Sequence, residues 1–392
     1  LLTAGALLAM CGTGTGLYAT LRSNPPPGRP SHRSPEPSPA PSREPPVPRL
    51  PPIAARVAMW PLGYPLGVGN YAGPPFVIDD LRTGHYVQTG RINLCCGDYQ
   101  PLMITVGRWF VYAGNGATAI RSNLRGRPRV LGRTAFFAAS AKPGHVWLIY
   151  PGRRSPRIRQ VRVDRGAPGP AITLPPRTQL VGGTRAGLLL QNRAGQLRLW
   201  QPGQAMRVLP GNPNWANGFA ETPTLIAYGT HCRDASIPAN ANFEPNRGYQ
   251  VCSMLRVFDV RSGRLRSFRS PVGTTGWVPP EFDMENPIAL SGSIMAAEAA
   301  VPSPDHDRGR LYVLPLAADQ ARPIAVPASA GHLFSKAAWS PDGSWLLYQG
   351  RRFSLWGYNV HTRAVRSTSV PCCLYTIMAV IPARLKADGY GR

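Results

Sequence analysis

The chain has 392 residues, including 44 Pro and 41 Gly, and carries a formal net charge of +25. Few windows place apolar residues at i, i+3, i+4 and i+7, which excludes a helical bundle; the length allows one large β domain or two ordinary ones. Only three of the 44 cations are lysines (Lys142, Lys336 and Lys386) and no long basic run stands out, so the charge predicts attraction to anionic lipid or wall polymer and no specific nucleic-acid site.

In chain order, residues 1–21, "LLTAGALLAMCGTGTGLYATL", carry no charge. About 20 apolar residues span a bilayer core, so residues 1–23 are expected to form an N-terminal hydrophobic helix that serves as a transmembrane anchor or signal segment. A lipid anchor at Cys11 is the third reading, although Met10 stands where a small residue is expected. "GTGTG" lies inside this apolar segment with no strand before it, so it is not a phosphate loop. Residues 24–52, "NPPPGRPSHRSPEPSPAPSREPPVPRLPP", are too rich in proline to build a core. They are expected to be a disordered, extended linker at about 3.1 Å per residue, leading to a domain over residues 53–392.

That domain repeats one pattern: an apolar strand, a polar turn often carrying Arg and Gly, then a second strand. Seven copies begin at Phe76, Thr118, Ile158, Leu197, Leu255, Leu311 and Leu355. Another strand pair precedes six of them, as in "MITVGRWFVYAG" from Met103 and "AAWSPDGSWLLYQG" from Ala337. The hairpin at Phe76 has no clear pair before it, while "LYTIMAVIP" from Leu374 stands alone near the C-terminus. The simplest topology pairs this last strand with the first hairpin. The expected fold is therefore all-β, a seven-bladed β-propeller closed by N- and C-terminal strands, with no exposed sheet edge left by a linear array. Whether the second strand of the shared blade is the end of the chain or "ARVAMWPLG" near Trp60 stays open.

The segment "WSPDGSWLLY", Trp339 to Tyr348, resembles the repeat signature of WD40-like and TolB-type propellers. Pro341 presets a turn and Asp342-Gly343 reverses it between strands. "SAKPGHVW" and "ETPTLIAY" keep the spacing without the letters. The resemblance implies a propeller fold; a sialidase-type Asp-box would want a residue between the Asp and the Gly.

Two cysteine pairs, Cys95-Cys96 and Cys372-Cys373, fall in equivalent inter-blade loops flanking the seam. At least one bridge between the pairs is expected to staple the ring, with a four-thiolate metal site and a vicinal disulfide within each pair as rivals. Cys232 and Cys252 flank an inserted loop, and a disulfide between them is expected; a zinc site with His231 lacks further obvious ligands.

The inserted loops, 231–252 and the stretch from Pro271, lie on the face shared by inter-blade loops, which is the default binding surface. Trp215 and Trp277 there are candidate contacts for a sugar or peptide, or else packing residues. Glu281, Asp283 and Glu285 alternate along "PPEFDMENP" and suit calcium, a basic partner, or the neutralisation of nearby arginines. The opposite face carries Arg82, Arg125, Arg165, Arg261 and Arg363 in hairpin turns. No G-x-S-x-G elbow, H-E-x-x-H, P-loop or dinucleotide fingerprint occurs, so no catalytic residue, cofactor or metal is assigned. The expected function is a membrane-tethered, extracytoplasmic binding or scaffold module for an envelope protein or cell-wall polymer, held through residues 1–21. A secreted or lipid-anchored form is the alternative placement. The alternative function is a propeller hydrolase or lyase acting on a glycan or lactone with carboxylates such as Glu281 and Asp283 at the channel mouth.

Overall fold

The computed structural model describes residues 49–61, 77–83, 85–88, 103–114, 118–122, 128–134, 136–152, 155–211, 219–235, 249–279, 289–302, 308–317, 322–327, 329, 337–349, 355–367 and 375–382. Every regular element among them is a β-strand. The chain runs β1 (Ala55–Pro61), β2 (Val77–Asp80) and β3 (His85–Gln88), then β4 (Met103–Val106), β5 (Trp109–Gly114), β6 (Thr118–Ser122) and β7 (Arg129–Gly132). Next come β8 (Phe136–Ala139), β9 (His145–Tyr150), β10 (Arg157–Arg162), β11 (Pro168–Thr173), β12 (Thr178–Thr184), β13 (Gly187–Asn192), β14 (Leu197–Trp200) and β15 (Arg207–Val208). They are followed by β16 (Phe219–Glu221), β17 (Leu225–Ala235), β18 (Tyr249–Asp259), β19 (Leu265–Arg269), β20 (Gly276–Trp277), β21 (Ala289–Ser291), β22 (Ile294–Val301), β23 (Arg308–Pro315) and β24 (Ile324–Ala325). The last five are β25 (Ala337–Trp339), β26 (Trp345–Gln349), β27 (Leu355–Asn359), β28 (Val365–Ser367) and β29 (Tyr375–Pro382).

Consecutive strands pair antiparallel in runs of four: β4 to β7, β8 to β11, β12 to β15 and β25 to β28. Two further runs, β16 to β19 and β21 to β24, are joined into one sheet because β20 pairs with both β18 and β22. The remaining sheet has the order β29-β1-β2-β3. Repeated four-strand meanders, with the chain's last strand completing its first sheet, make a β-propeller arrangement. The tail does join the sheet of the Phe76 hairpin, but one strand further in than the simplest topology has it. Ala55–Pro61 inserts between them, with Val57 opposite Val380 on one side and Asp79 on the other. Both candidates for the missing pair are used. Contacts with the domain also begin ahead of Ile53: the Leu50 N–H bonds to the Ser367 carbonyl, and Leu50 packs on the first core cluster below.

Burial follows position in the run. Second strands are covered on both faces, so β9, β13 and β22 bury nearly continuous apolar stretches. Outer strands see solvent, and β11, "PGPAIT", is largely exposed with two prolines that blunt its edge. The apolar clusters lie between neighbouring four-strand runs. Val57 and Met59 meet Leu347 and Leu355; Val111 meets Leu148 and Val161; Ile158 meets Leu188 and Leu190. Leu189 and Leu197 meet Ile226 and Phe258, Leu255 meets Trp277 and Met295, and Leu311 meets Leu346 and Tyr358. Burying each such side chain is worth about 1.5–3 kcal/mol, so the sheets are held by their shared interfaces. First strands also adjoin, with β29 beside β4 and β25.

Polar groups at these interfaces are spent on specific partners. The Tyr228 hydroxyl donates to the Pro210 carbonyl (2.6 Å) at the end of the preceding run, and Tyr348 repeats this with Pro327 (3.3 Å). Burial raises the pKa of both phenols and pushes the equivalent Tyr112 up to about 12, so all three stay neutral. The buried Arg121 guanidinium donates to the Val163 carbonyl and lies 4.7 Å from the Trp109 ring, crossing from one sheet to the next.

The hairpin turns between third and fourth strands use an Asp or Asn side chain to accept turn N–H groups. Asp80 accepts the Arg82 N–H (3.1 Å), Asp259 accepts the Arg261 N–H (2.9 Å), and Asn359 accepts those of His361 (3.0 Å) and Thr362 (2.9 Å). Each of the last two turns closes on a left-handed residue: Gly263 (φ 70°) bonds back to Asp259, and Arg363 (φ 58°) to Asn359. A side chain in this conformation costs about 1–2 kcal/mol relative to a right-handed one, a cost glycine avoids. Arg363→Gly is therefore expected to stabilise the domain by about 0.5–1 kcal/mol once glycine's greater unfolded-state freedom is offset, read as a higher urea midpoint at unchanged slope.

Candidate functional site

β17 and β18 are both 11 residues long and extend past the rest of their sheet. In their register Cys232 stands opposite Cys252, and the two form a disulfide. The sulfurs are thus committed to each other and not to a metal site with His231. Gly229 makes room for the bridge, because a Cβ there would lie 2.4 Å from Cys252 Sγ. Beyond it, His231 is exposed and takes a left-handed conformation (φ 53°). Among the described residues, no group of three or more His, Cys, Asp or Glu is placed to hold a metal ion.

Trp277 is not an exposed contact. It sits in β20, fully buried, with its indole N–H donating to the Phe268 carbonyl (3.0 Å) and its ring edge-on to Tyr312 at 5.7 Å. The reason is topological: the Gly276–Trp277 segment is drawn into the sheet as a bridging strand, so the indole packs at the junction. Gly276 (φ 158°) permits the approach, since a Cβ would lie 2.9 Å from Val251 Cβ. Trp215, Glu281, Asp283, Glu285, Cys95, Cys96, Cys372, Cys373 and the segment 1–23 lie outside the described residues.

A cleft of about 460 Å³ opens between the β8–β11 and β12–β15 sheets. Its apolar lining is the partly exposed Trp200 with Ile172, Leu188 and the buried Trp147, all of one core cluster. Ser140, Lys142, Gln160, Arg185 and Gln201 supply the polar groups. Ser140, Lys142, Arg185 and Gln201 come from the turns joining first to second and third to fourth strands, and Gln160 lies within β10. In an antiparallel meander those turns share one end, and the Cys232–Cys252 hairpin points from the other. Sequence reasoning placed the binding surface at the hairpin end; the cleft lies at the opposite one. Its residues carry no motif, being two indoles, two amides and two cations scattered over two repeats. A signal was present only in hindsight: Lys142 is one of three lysines in the chain.

Local geometry holds the cleft open. Gln160 Nε2 donates to Ser140 Oγ (2.7 Å), and Gln201 Nε2 donates to the Ala186 carbonyl (3.0 Å). Gly183 lets β12 press against its neighbour: a Cβ there would lie 2.9 Å from Trp147 Nε1 and 3.1 Å from the Ala139 carbonyl. The Lys142 and Arg185 side chains are exposed at the rim, and neither is paired with a carboxylate among the described residues.

No family model matches the chain, and no curated protein matches it. Solved structures similar to it include TolB from Acinetobacter baumannii, at 13% identity and a TM-score of 0.39, covering 72% of this chain and 65% of that one. The chain thus spans just under two thirds of that structure. An oligogalacturonate lyase from Vibrio parahaemolyticus is similar at 13% identity and a TM-score of 0.38, with 70% and 80% covered. The Cps50 (Swd1) β-propeller domain from Myceliophteria thermophila is similar at 12% identity and 0.37, with 70% and 90% covered. These likenesses concern the fold alone. The WD40-like and TolB-type resemblance of "WSPDGSWLLY" is of the same kind.

Two outcomes follow from this geometry. Replacing Cys232 by Ser should lower stability by about 2–4 kcal/mol, and after denaturation without reductant Cys252 should be alkylated in the variant, while mass spectrometry of the unaltered chain finds both cysteines blocked. Gly183→Ala should cost about 1–3 kcal/mol by forcing Trp147 and the 139–141 backbone aside, visible as a lowered thermal midpoint.

Proposed function

We propose that the chain is a seven-bladed β-propeller that works outside the cytoplasm as a binding module for an envelope protein or cell-wall polymer. Residues 1–21 tether it to the membrane and the Pro-rich stretch acts as its spacer. Seven four-strand runs, counting β29 with β1 to β3, and the apolar clusters between successive sheets support the blade number. The observation that carries the placement is the Cys232–Cys252 disulfide, because such bonds form and persist in oxidising compartments. Binding is supported by the cleft, whose indole lining, amides and rim cations are groups suited to holding a ligand.

The test is capture from the cell's own envelope fraction by the purified full chain, together with protease treatment of intact cells. An envelope component retained at low salt and released at high salt, with propeller fragments shed by external protease, is the expected result. A domain protected in intact cells and cut only after lysis would overturn the extracytoplasmic placement.

A further inference from the structure

The geometry points to the cleft between the β8–β11 and β12–β15 sheets as a site for an acidic saccharide, a sugar unit bearing a carboxylate or phosphate. This rests on the reading of the chain as a binding module and names the ligand class it takes.

Three chemistries converge there. Trp200, partly exposed, offers apolar indole surface, which suits the C–H face of a pyranose ring, and the buried Trp147 backs the cleft floor. Gln160 and Gln201 each commit Nε2–H to a protein acceptor, to Ser140 Oγ and to the Ala186 carbonyl, and among the described residues no donor is bonded to either amide oxygen. Amide oxygens without donors select a ligand rich in hydroxyls. At the rim, Lys142 and Arg185 bring two positive charges unmatched by any carboxylate of the lining, so a negatively charged group is favoured. An acidic peptide such as oligoglutamate would answer the cations with its carboxylates and the amide oxygens with its backbone N–H groups, but it offers no apolar ring face to the exposed part of Trp200. A phosphate headgroup alone would leave the Trp200 indole uncovered. The volume, about 460 Å³, falls within the usual range for a small-molecule site.

Lys142 and Arg185 are exposed turn residues whose side chains form no hydrogen bond or ion pair among the described residues; the Arg185 N–H that bonds to the Pro223 carbonyl is backbone and survives substitution. The test titrates the full chain calorimetrically with cellotetraose and with its C6-oxidised counterpart, a β-1,4-linked glucuronate tetrasaccharide that differs only in charge. Glucose 6-phosphate against glucose forms the phosphate arm, and a tetraglutamate peptide is the control for charge without a sugar.

The oxidised tetrasaccharide is expected to bind at least about tenfold tighter than cellotetraose at low salt, with the gap narrowing as salt rises. The Lys142→Ala/Arg185→Ala double variant should lose that gap while keeping the affinity for cellotetraose. Trp200→Phe should weaken both sugars together. A glucose 6-phosphate preference lost in the double variant would assign the charge to a phosphate, and a preference confined to the tetrasaccharide would assign it to a carboxylate. Equal affinity for the two tetrasaccharides, or binding of tetraglutamate as tight as that of the oxidised sugar, overturns the assignment. If the double variant then still captures envelope material in full, the cleft is dismissed and the module reading stands. If the unaltered chain captures none, the module reading itself falls.

Discussion

The pairing of β29 with β1 is the interaction on which the arrangement depends. Each sheet buries its second strand between two neighbours, so a linear row of such sheets would leave two apolar faces and a strand edge in water. Bringing Tyr375–Pro382 back beside Ala55–Pro61 completes the β1–β3 sheet and lets it pack on β4 at one side and β25–β28 at the other. One non-local pairing thereby gives every other interface a partner. The ordering entropy of a long loop is the cost, offset by apolar area that no single sheet could bury alone.

Once sheets are stacked in this way, the polar groups caught between them need partners. The structure meets that demand with a small set of crossings. Tyr228 and Tyr348 reach carbonyls at the end of the preceding run, Arg121 reaches Val163, and Trp277 reaches Phe268. Each ties two neighbouring stretches through a group that would otherwise be left unsatisfied, at a cost of about 1–3 kcal/mol. Asp259 and Asn359 are likewise spent on turn N–H groups, while Asp80 both accepts the Arg82 N–H and pairs with the Arg56 guanidinium (3.1 Å).

The same stacking creates the candidate site. Where Gly183 brings two sheets close, Trp147 is buried in their shared cluster, the partly exposed Trp200 packs against that cluster, and the exposed Lys142 and Arg185 line the same cleft. The Cys232–Cys252 hairpin marks the other end of the sheets and bears on where the protein lives more than on what it holds.

Much of the strand order was written in local pattern: turns with Asp, Arg and Gly between apolar runs, the spacing of the repeats, and two cysteines flanking one insertion. These depend on neighbours a few residues apart, and each sits where its sequence placed it. Trp277 shows where that reading stops, since an indole in an inter-blade segment is exposed or buried according to whether the backbone is drawn in as a bridging strand. The choice between Ala55–Pro61 and the C-terminal strand for the shared sheet was equally beyond local pattern, because both were needed. Sequence by itself determined the strands, their turns and the staple at Cys232 and Cys252, all set by short-range sterics and hydrogen bonding. Only the tertiary structure decided which sheets abut, which indole is buried and which residues from separate repeats share a cleft, because those follow from packing between segments distant in the chain.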